Sequence, residues 1–332
     1  MPTPPAPLGK YLASSDKKTR DEAMKALTAF ICDEGNGRLL KSDMAKLWKG
    51  VFYCFWMSDK PLVQQALAAD LADLLLLIPT LEAGFEFLRG FWEALVREWS
   101  GLDRLRLDKY YLLVRRYTNA SFRLLIRAHW DASACDTYND IMGGAGGPSR
   151  KALFSMNDSP SNAFLAYHLA DIYLEELNKS ETEAMPLITV LSPFLNLLAK
   201  TPSNITFKRV ETALFGPLLS ALQLASAPTT PPKKRARLDG APTESTEPST
   251  ENNNTPDVPL YYIINRCRVS SISTSLGPYV SLPAPKDVLR AVLRGIFEVA
   301  GDQTTRDPNR RKMYAIWKAG QSSLNEEDEG EM

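Results

Sequence analysis

The sequence has only two histidines, His129 and His168, and four cysteines, Cys32, Cys54, Cys135 and Cys267. Two imidazoles leave little room for a multi-histidine metal site or a histidine acid–base pair. The cysteines are scattered, without the spacing of a metal-ligand pair or a disulfide framework, which suits a reducing compartment. No apolar run reaches the length of a membrane span: the longest, residues 71–78, contains Asp73 and follows Asp70. The opening Met1-Pro2-Thr3-Pro4-Pro5 carries no apolar signal segment, so secretion is not expected. Charge of one sign is lacking too. With 39 basic and 39 acidic residues the formal net charge is +0, so any RNA contact has to come from a local patch. There is no Gly-x-x-x-x-Gly-Lys-Ser/Thr loop to cradle phosphates. The glycines at 143–147 do not lie between a strand and a helix and read as a surface loop.

Strand-like alternation is nearly absent, and helical periodicity fills residues 10–225. Ser15 or Asp16 can cap a first helix, along which Met24, Leu27, Phe30 and Ile31 share a face. A second follows Ser42, and its half Val51-Phe52-Tyr53-Cys54-Phe55-Trp56-Met57 is apolar all round, which predicts burial on several sides. Ser58-Asp59-Lys60-Pro61 breaks it, with Pro61 in the first turn of the next helix. There Leu67, Leu71, Leu74, Leu75 and Ile78 make a stripe that Pro79 ends. Further helices are predicted over 85–99, 103–127, 161–177, 184–199 and 207–224. Such short helices joined by turns predict an all-α fold: an irregular helical-repeat solenoid of the HEAT/ARM kind, spanning residues 8–225.

Composition changes after Ala225. Residues 226–257 are rich in Pro, Thr, Ser, Asn and Glu, cannot bury enough apolar surface to offset chain entropy, and are expected to form a disordered linker. Within them Pro231-Pro232-Lys233-Lys234-Arg235-Ala236-Arg237 is a compact basic cluster. Accessible cations on extended backbone are what an import receptor binds, so Lys233, Lys234, Arg235 and Arg237 are expected to act as a nuclear localisation signal recognised by importin. A short C-terminal helical segment, 258–318, carries helices over 285–300 and 307–318, the second with Tyr314 and Trp317. Its apolar content predicts docking on the solenoid. The acidic end, 319–332, is expected to be a solvated, disordered tail.

Two constellations could carry chemistry or binding. His168, Asp171 and Glu175 fall three and four apart on one helical face, a spacing open to a metal or to a plain polar face. Leu165, Leu169, Ile172, Tyr173 and Leu177 face inward. The second constellation is basic and aromatic: Arg97, Trp99, Arg104, Arg106, Lys109, Tyr110, Tyr111, Arg115 and Arg116, with Asp103 and Asp108 among them. Leu107, Tyr110, Tyr111 and Val114 are predicted to face inward, with Lys109 and Arg116 on the opposite side. Arginine binds phosphate bidentately and tyrosine stacks on bases, but ion pairing inside the fold uses the same residues.

Several strings together resemble one family. Leu47-Trp48-Lys49-Gly50-Val51-Phe52-Tyr53-Cys54-Phe55-Trp56-Met57-Ser58-Asp59-Lys60-Pro61 is similar to a hallmark of the nucleolar ribosomal RNA processing protein 1 family. So are residues 97–111 and 168–177, and the opening Lys10-Tyr11-Leu12-Ala13-Ser14-Ser15-Asp16-Lys17-Lys18-Thr19-Arg20. The likeness covers residues 8–225. It departs after the linker, where an acidic end stands in place of the basic extensions of some relatives.

The resemblance implies a nucleolar, all-helical, non-catalytic protein without cofactor or bound metal. It would act as a scaffold among assembly factors of the large (60S) ribosomal subunit and be needed for precursor ribosomal RNA processing. Whether RNA is touched directly stays open. The motif positions single out Lys49, Lys60, Arg97, Arg104, Arg106, Lys109, Arg115 and Arg116 as candidates for RNA or partner contact. The readings in competition are a generic nuclear helical-repeat adaptor and a metal-dependent ribonuclease centred on His168, Asp171 and Glu175.

Overall fold

Alternate helices stack on one another, and two layers result. The computed structural model describes residues 8–32, 41–143, 154, 160–180, 185–226, 260–268 and 283–329. In chain order the helices are α1 (Leu8–Leu12), α2 (Lys17–Cys32), α3 (Lys41–Trp56), α4 (Pro61–Leu77), α5 (Leu81–Glu98), α6 (Arg104–Arg127) and α7 (Ala132–Gly143). They continue with α8 (Pro160–Asn178), α9 (Leu187–Lys200), α10 (Asn204–Val210), α11 (Gly216–Ser226), α12 (Tyr261–Arg266), α13 (Pro285–Gly301) and α14 (Asp307–Glu329). One layer runs α1, α3, α5, α7, α9 and the other α2, α4, α6, α8, α10, each helix packing on the next but one. This is the stacking of a helical-repeat array. Among the described residues there is no strand, only an isolated parallel bridge between Met185 and Cys267.

Local chemistry explains the element ends. The Asp16 carboxylate accepts from the Thr19 amide at 2.8 Å and starts α2. Asp103 caps α6 in the same way, accepting from the Arg106 amide at 3.1 Å. Between α10 and α11 the helix widens into a π turn, Glu211–Phe215. Pro217 has no amide to give the preceding turn, and its ring crowds the carbonyl four residues back.

Close packing of the first helices depends on two glycines. A Cβ on Gly50 of α3 would come within 2.6 Å of the Gly9 Cα, so α1 crosses α3 backbone to backbone. A Cβ on Gly90 of α5 would lie 2.4 Å from the Trp48 ring. The run 51–57 is buried at Val51, Phe52, Cys54 and Phe55, half-buried at Tyr53 and Trp56, and exposed at Met57.

The array continues past the segment 227–259, which lies outside the described residues together with Lys233, Lys234, Arg235 and Arg237. The glycine loop lies outside them as well, apart from Gly143 at the end of α7. α12 packs on α8, and the Asn178 side-chain oxygen accepts from the Tyr262 and Ile263 amides at 3.0 and 3.3 Å. α13 packs on α9 and α11, and α14 on α13 and α9. The buried Asn309 side chain donates to the Ala199 and Thr201 carbonyls at 3.2 and 2.8 Å, closing the end of α9. α14 does not stop near residue 318 but runs through Glu329, so the stretch expected as a disordered tail is helical up to that point. The reason is packing. Gly320 lets α14 approach Leu293, whose Cδ2 lies 2.5 Å from where a Cβ would stand, and Leu324 is buried.

Candidate interaction surface

α6 lies against α4 in its own layer and reaches the end of α3 with its first turns. The sequence motifs meet there. Tyr110 stacks on Phe52, ring centroids 4.7 Å apart, and its hydroxyl donates to the Phe52 carbonyl at 2.9 Å. One α6 turn pair further on, the Tyr117 hydroxyl donates to the Leu71 carbonyl at 2.7 Å. Burial pushes both phenol pKa values well above the ordinary range, so both stay neutral donors. These rings are core and not a stacking platform for bases.

The predicted exposure of Lys109 is not what the structure has. Lys109 is only 6% exposed. Its Nζ donates to the Trp56 carbonyl at 2.6 Å and the Ser58 carbonyl at 2.8 Å. The turn after α3 sits against this side of α6, and the carbonyls that end a helix lack partners within it. A cation at a helix C-terminus also meets the negative end of the helix dipole. Burial lowers the Lys109 pKa to about 8.

Other candidates are also taken up within the fold. The Arg106 guanidinium pairs with Asp103 and lies 4.6 Å over the Trp56 ring. Arg97 pairs with its neighbour Glu98 at 2.8 Å. Arg115 forms a fork with Glu175 of α8, at 3.0 and 2.8 Å, and reaches the buried Glu176 at 3.2 Å. Four candidates remain. Lys49, Lys60, Arg104 and Arg116 are exposed and make no ion pair or side-chain hydrogen bond with another described residue. Leu62 and Leu105, in the first turns of α4 and α6, are 79% and 93% exposed and are sequence neighbours of the Lys60-Pro61 turn and of Arg104.

His168, Asp171 and Glu175 do not gather round a common point. The His168 Nε2 is 3.1 Å from the Tyr111 carbonyl, with its ring against Tyr111. Burial holds its pKa below the ordinary imidazole value. Asp171 accepts from Arg209 at 2.7 Å, and Glu175 accepts from Arg115 and Lys179. Among the described residues no group of three or more His, Cys, Asp or Glu is placed to hold a metal ion. None of the described helices is long and apolar enough to cross a membrane. The inward residues of α8, Leu165, Leu169, Ile172, Tyr173 and Leu177, are all buried.

One interaction escaped the sequence reading although its residue sits in a motif. Arg20 is buried and donates to the Ser14 and Ser15 carbonyls at 2.9 and 2.8 Å, with the Met57 carbonyl at 3.5 Å. It ties the opening motif to the end of α3. No local pattern marks it, because its acceptors are backbone atoms brought together by the fold.

A family model described as nucleolar protein, Nop52, matches residues 3–315. The mouse protein ribosomal RNA processing protein 1 homolog B is 34% identical over 210 residues, covering 61% of this chain and 28% of that protein. The human ribosomal RNA processing protein 1 homolog A is 30% identical over 228 residues, covering 67% of this chain and 48% of its own length. The Caenorhabditis elegans ribosomal RNA processing protein 1 homolog is 29% identical over 211 residues, covering 63% and 51%. The chain thus spans between about a quarter and a half of these relatives' lengths.

Proposed function

Since the chain belongs to the Nop52 family of nucleolar proteins, we propose that it is a non-catalytic scaffold in the assembly of the large ribosomal subunit, needed for precursor ribosomal RNA processing. The observation that carries the reading is the family match over residues 3–315, which takes in both layers of the array. The names of the relatives, ribosomal RNA processing proteins, support the process. The arrangement of α6 and α8 supports a role without chemistry, because their polar side chains hold helices to one another. A two-layer array offers extended surface, the usual asset of helical-repeat scaffolds.

The assembly factors it would meet would be engaged by the exposed residues Lys49, Lys60, Arg104 and Arg116, together with Leu62 and Leu105. Exposed cations interspersed with exposed leucines suit a protein partner that brings carboxylates and apolar side chains. Importin would bind Lys233, Lys234, Arg235 and Arg237 and deliver the protein to the nucleus. Residues 258–318 would work as one unit with the array 8–225, as the contacts of α13 with α9 and α11 support.

The test is affinity purification of the tagged chain from its own cells, with co-purifying RNA and proteins identified. Large-subunit precursor RNA and assembly factors are expected. The variant Lys49→Glu/Lys60→Glu/Arg104→Glu/Arg116→Glu should keep its helical circular dichroism and lose those particles. Importins or chromatin proteins in place of ribosomal precursors would sink the scaffold reading. Retention of the variant on the particles would sink the surface.

A further inference from the structure

The hairpin of α13 and α14 is the last helix pair among the described residues and carries a surface that the family motifs do not touch. Its inner side is well packed: Val288, Leu289, Val292, Leu293, Ile296, Met313 and Leu324 are all buried. Three aromatic rings cluster where α13 meets α14 and are only partly covered. Phe297 of α13 lies 5.4 Å from Tyr314 and 4.9 Å from Trp317 of α14, measured between ring centroids. Phe297 is 43% exposed, and Tyr314 and Trp317 are half-buried. A hairpin that buries its aliphatic residues and leaves a three-ring cluster only partly covered, with Phe297 exposed, keeps a surface that burial alone does not explain.

Cations flank the ring residues in sequence. Arg294 precedes Phe297 by one turn, Arg311 precedes Tyr314 by one turn, and Lys318 follows Trp317. All three are exposed, and none pairs with another described residue. The nearby carboxylates of Asp287 and Asp307 are held by Arg290 and Arg310, at 3.3 and 3.5 Å. Glu298, exposed beside Phe297, and Asp302, exposed at the end of α13, make no ion pair with another described residue.

We propose that this outer face binds single-stranded RNA, with Phe297, Tyr314 and Trp317 stacking unpaired bases and Arg294, Arg311 and Lys318 meeting phosphates. Rings clustered with cations are the two elements such binding needs: π-faces that accept any base, and charges that replace the counterions of the backbone. An acidic protein segment would use the cations but gain little from three aromatic faces in place of aliphatic contacts. That the RNA is a ribosomal precursor rests on the function proposed above; the binding chemistry does not.

The probe is a fluorescein-labelled oligouridine of about 12 nucleotides, within the usual span of single-strand sites. It is titrated with the purified full chain by fluorescence anisotropy at several salt concentrations. Arg294→Ala/Arg311→Ala/Lys318→Ala should weaken binding about tenfold or more and reduce the salt slope by about 2, three phosphates at roughly 0.7 each. Phe297→Leu, which keeps an apolar side chain against α14, should weaken binding about fivefold or more at an unchanged salt slope. A duplex of equal length should compete poorly. Failure of the wild-type chain to bind oligouridine at low salt overturns the proposal. So does equal binding by the triple-alanine variant, or displacement of bound RNA by polyglutamate as readily as by unlabelled RNA. Synthetic RNA and pure protein keep this outcome separate from the co-purification test, so either idea can fail alone.

Discussion

Two stretches of this chain mix arginine and lysine with aromatic rings, and the fold uses them in opposite ways. At the start of α6, Arg106, Lys109 and Arg115 meet a carboxylate, two helix-end carbonyls and a carboxylate fork, while Tyr110 is fully buried. At the α13–α14 hairpin, Arg294, Arg311 and Lys318 are exposed and Phe297 is partly so. Position in the array makes the difference. α6 has α4 and α8 beside it and the end of α3 against its first turns, whereas among the described residues the hairpin packs on α9, α11 and α12. A basic, aromatic sequence therefore signals a surface only where the fold leaves it without internal acceptors.

The largest test of the contrast is Lys109→Met against Lys318→Met. The first strands the Trp56 carbonyl and leaves the Ser58 carbonyl with the Gln64 side chain alone, and should cost about 2 kcal/mol in urea unfolding, while the second should stay within about 0.5 kcal/mol. Equal costs would erase the distinction between the two regions. Lys109 also sets a pH dependence. Its proton leaves near pH 8 in the folded protein and near 10.5 in the unfolded chain. The unfolded state therefore binds more protons between those values, and stability should rise with pH across that window. Difference unfolding curves against Lys109→Met should isolate this rise, and its absence would mean that Lys109 is better solvated than its burial implies.

Asn309→Ala removes two bonds that fasten α14 to the end of α9 and should cost about 1.5 kcal/mol. Faster proteolytic release of residues 283–329 should accompany it; unchanged protease resistance would mean that apolar packing alone holds the hairpin. A smaller loss is expected at Arg115→Gln. It weakens a partly exposed fork but deprives the buried Glu176 of one of two cations, a loss of about 1 kcal/mol. Thermal melts of the pair Arg115→Gln and Arg311→Gln should separate the two regions again, with a downward shift in the first alone.

Much of this fold is legible in the sequence because its causes are local. The stripe Leu67, Leu71, Leu74, Leu75 and Ile78 and the cap at Asp103 depend on neighbours a few residues away. The burial of Lys109 was not legible, since it depends on where the turn after α3 lands. The passage of Gly9 over Gly50, the seat of Trp48 on Gly90 and the extension of α14 past Gly320 share that non-local origin. At the candidate surface the residue types were legible but their availability only in part. The pairing of Arg97 with adjacent Glu98 and of Arg106 with Asp103 three residues back is local and so legible, whereas Arg115 meets Glu175 sixty residues on, which only the fold brings near.

The contact between α11 and α12 brings together the two helices that flank residues 227–259. In polymer terms that segment is a closed ring: both of its ends are held on one body, whatever lies between. Doubling the length of such a ring adds only about 0.6 kcal/mol to the cost of closing it. Evolution can therefore lengthen, shorten or rewrite this stretch, and any address it carries, while the helices on either side keep their places.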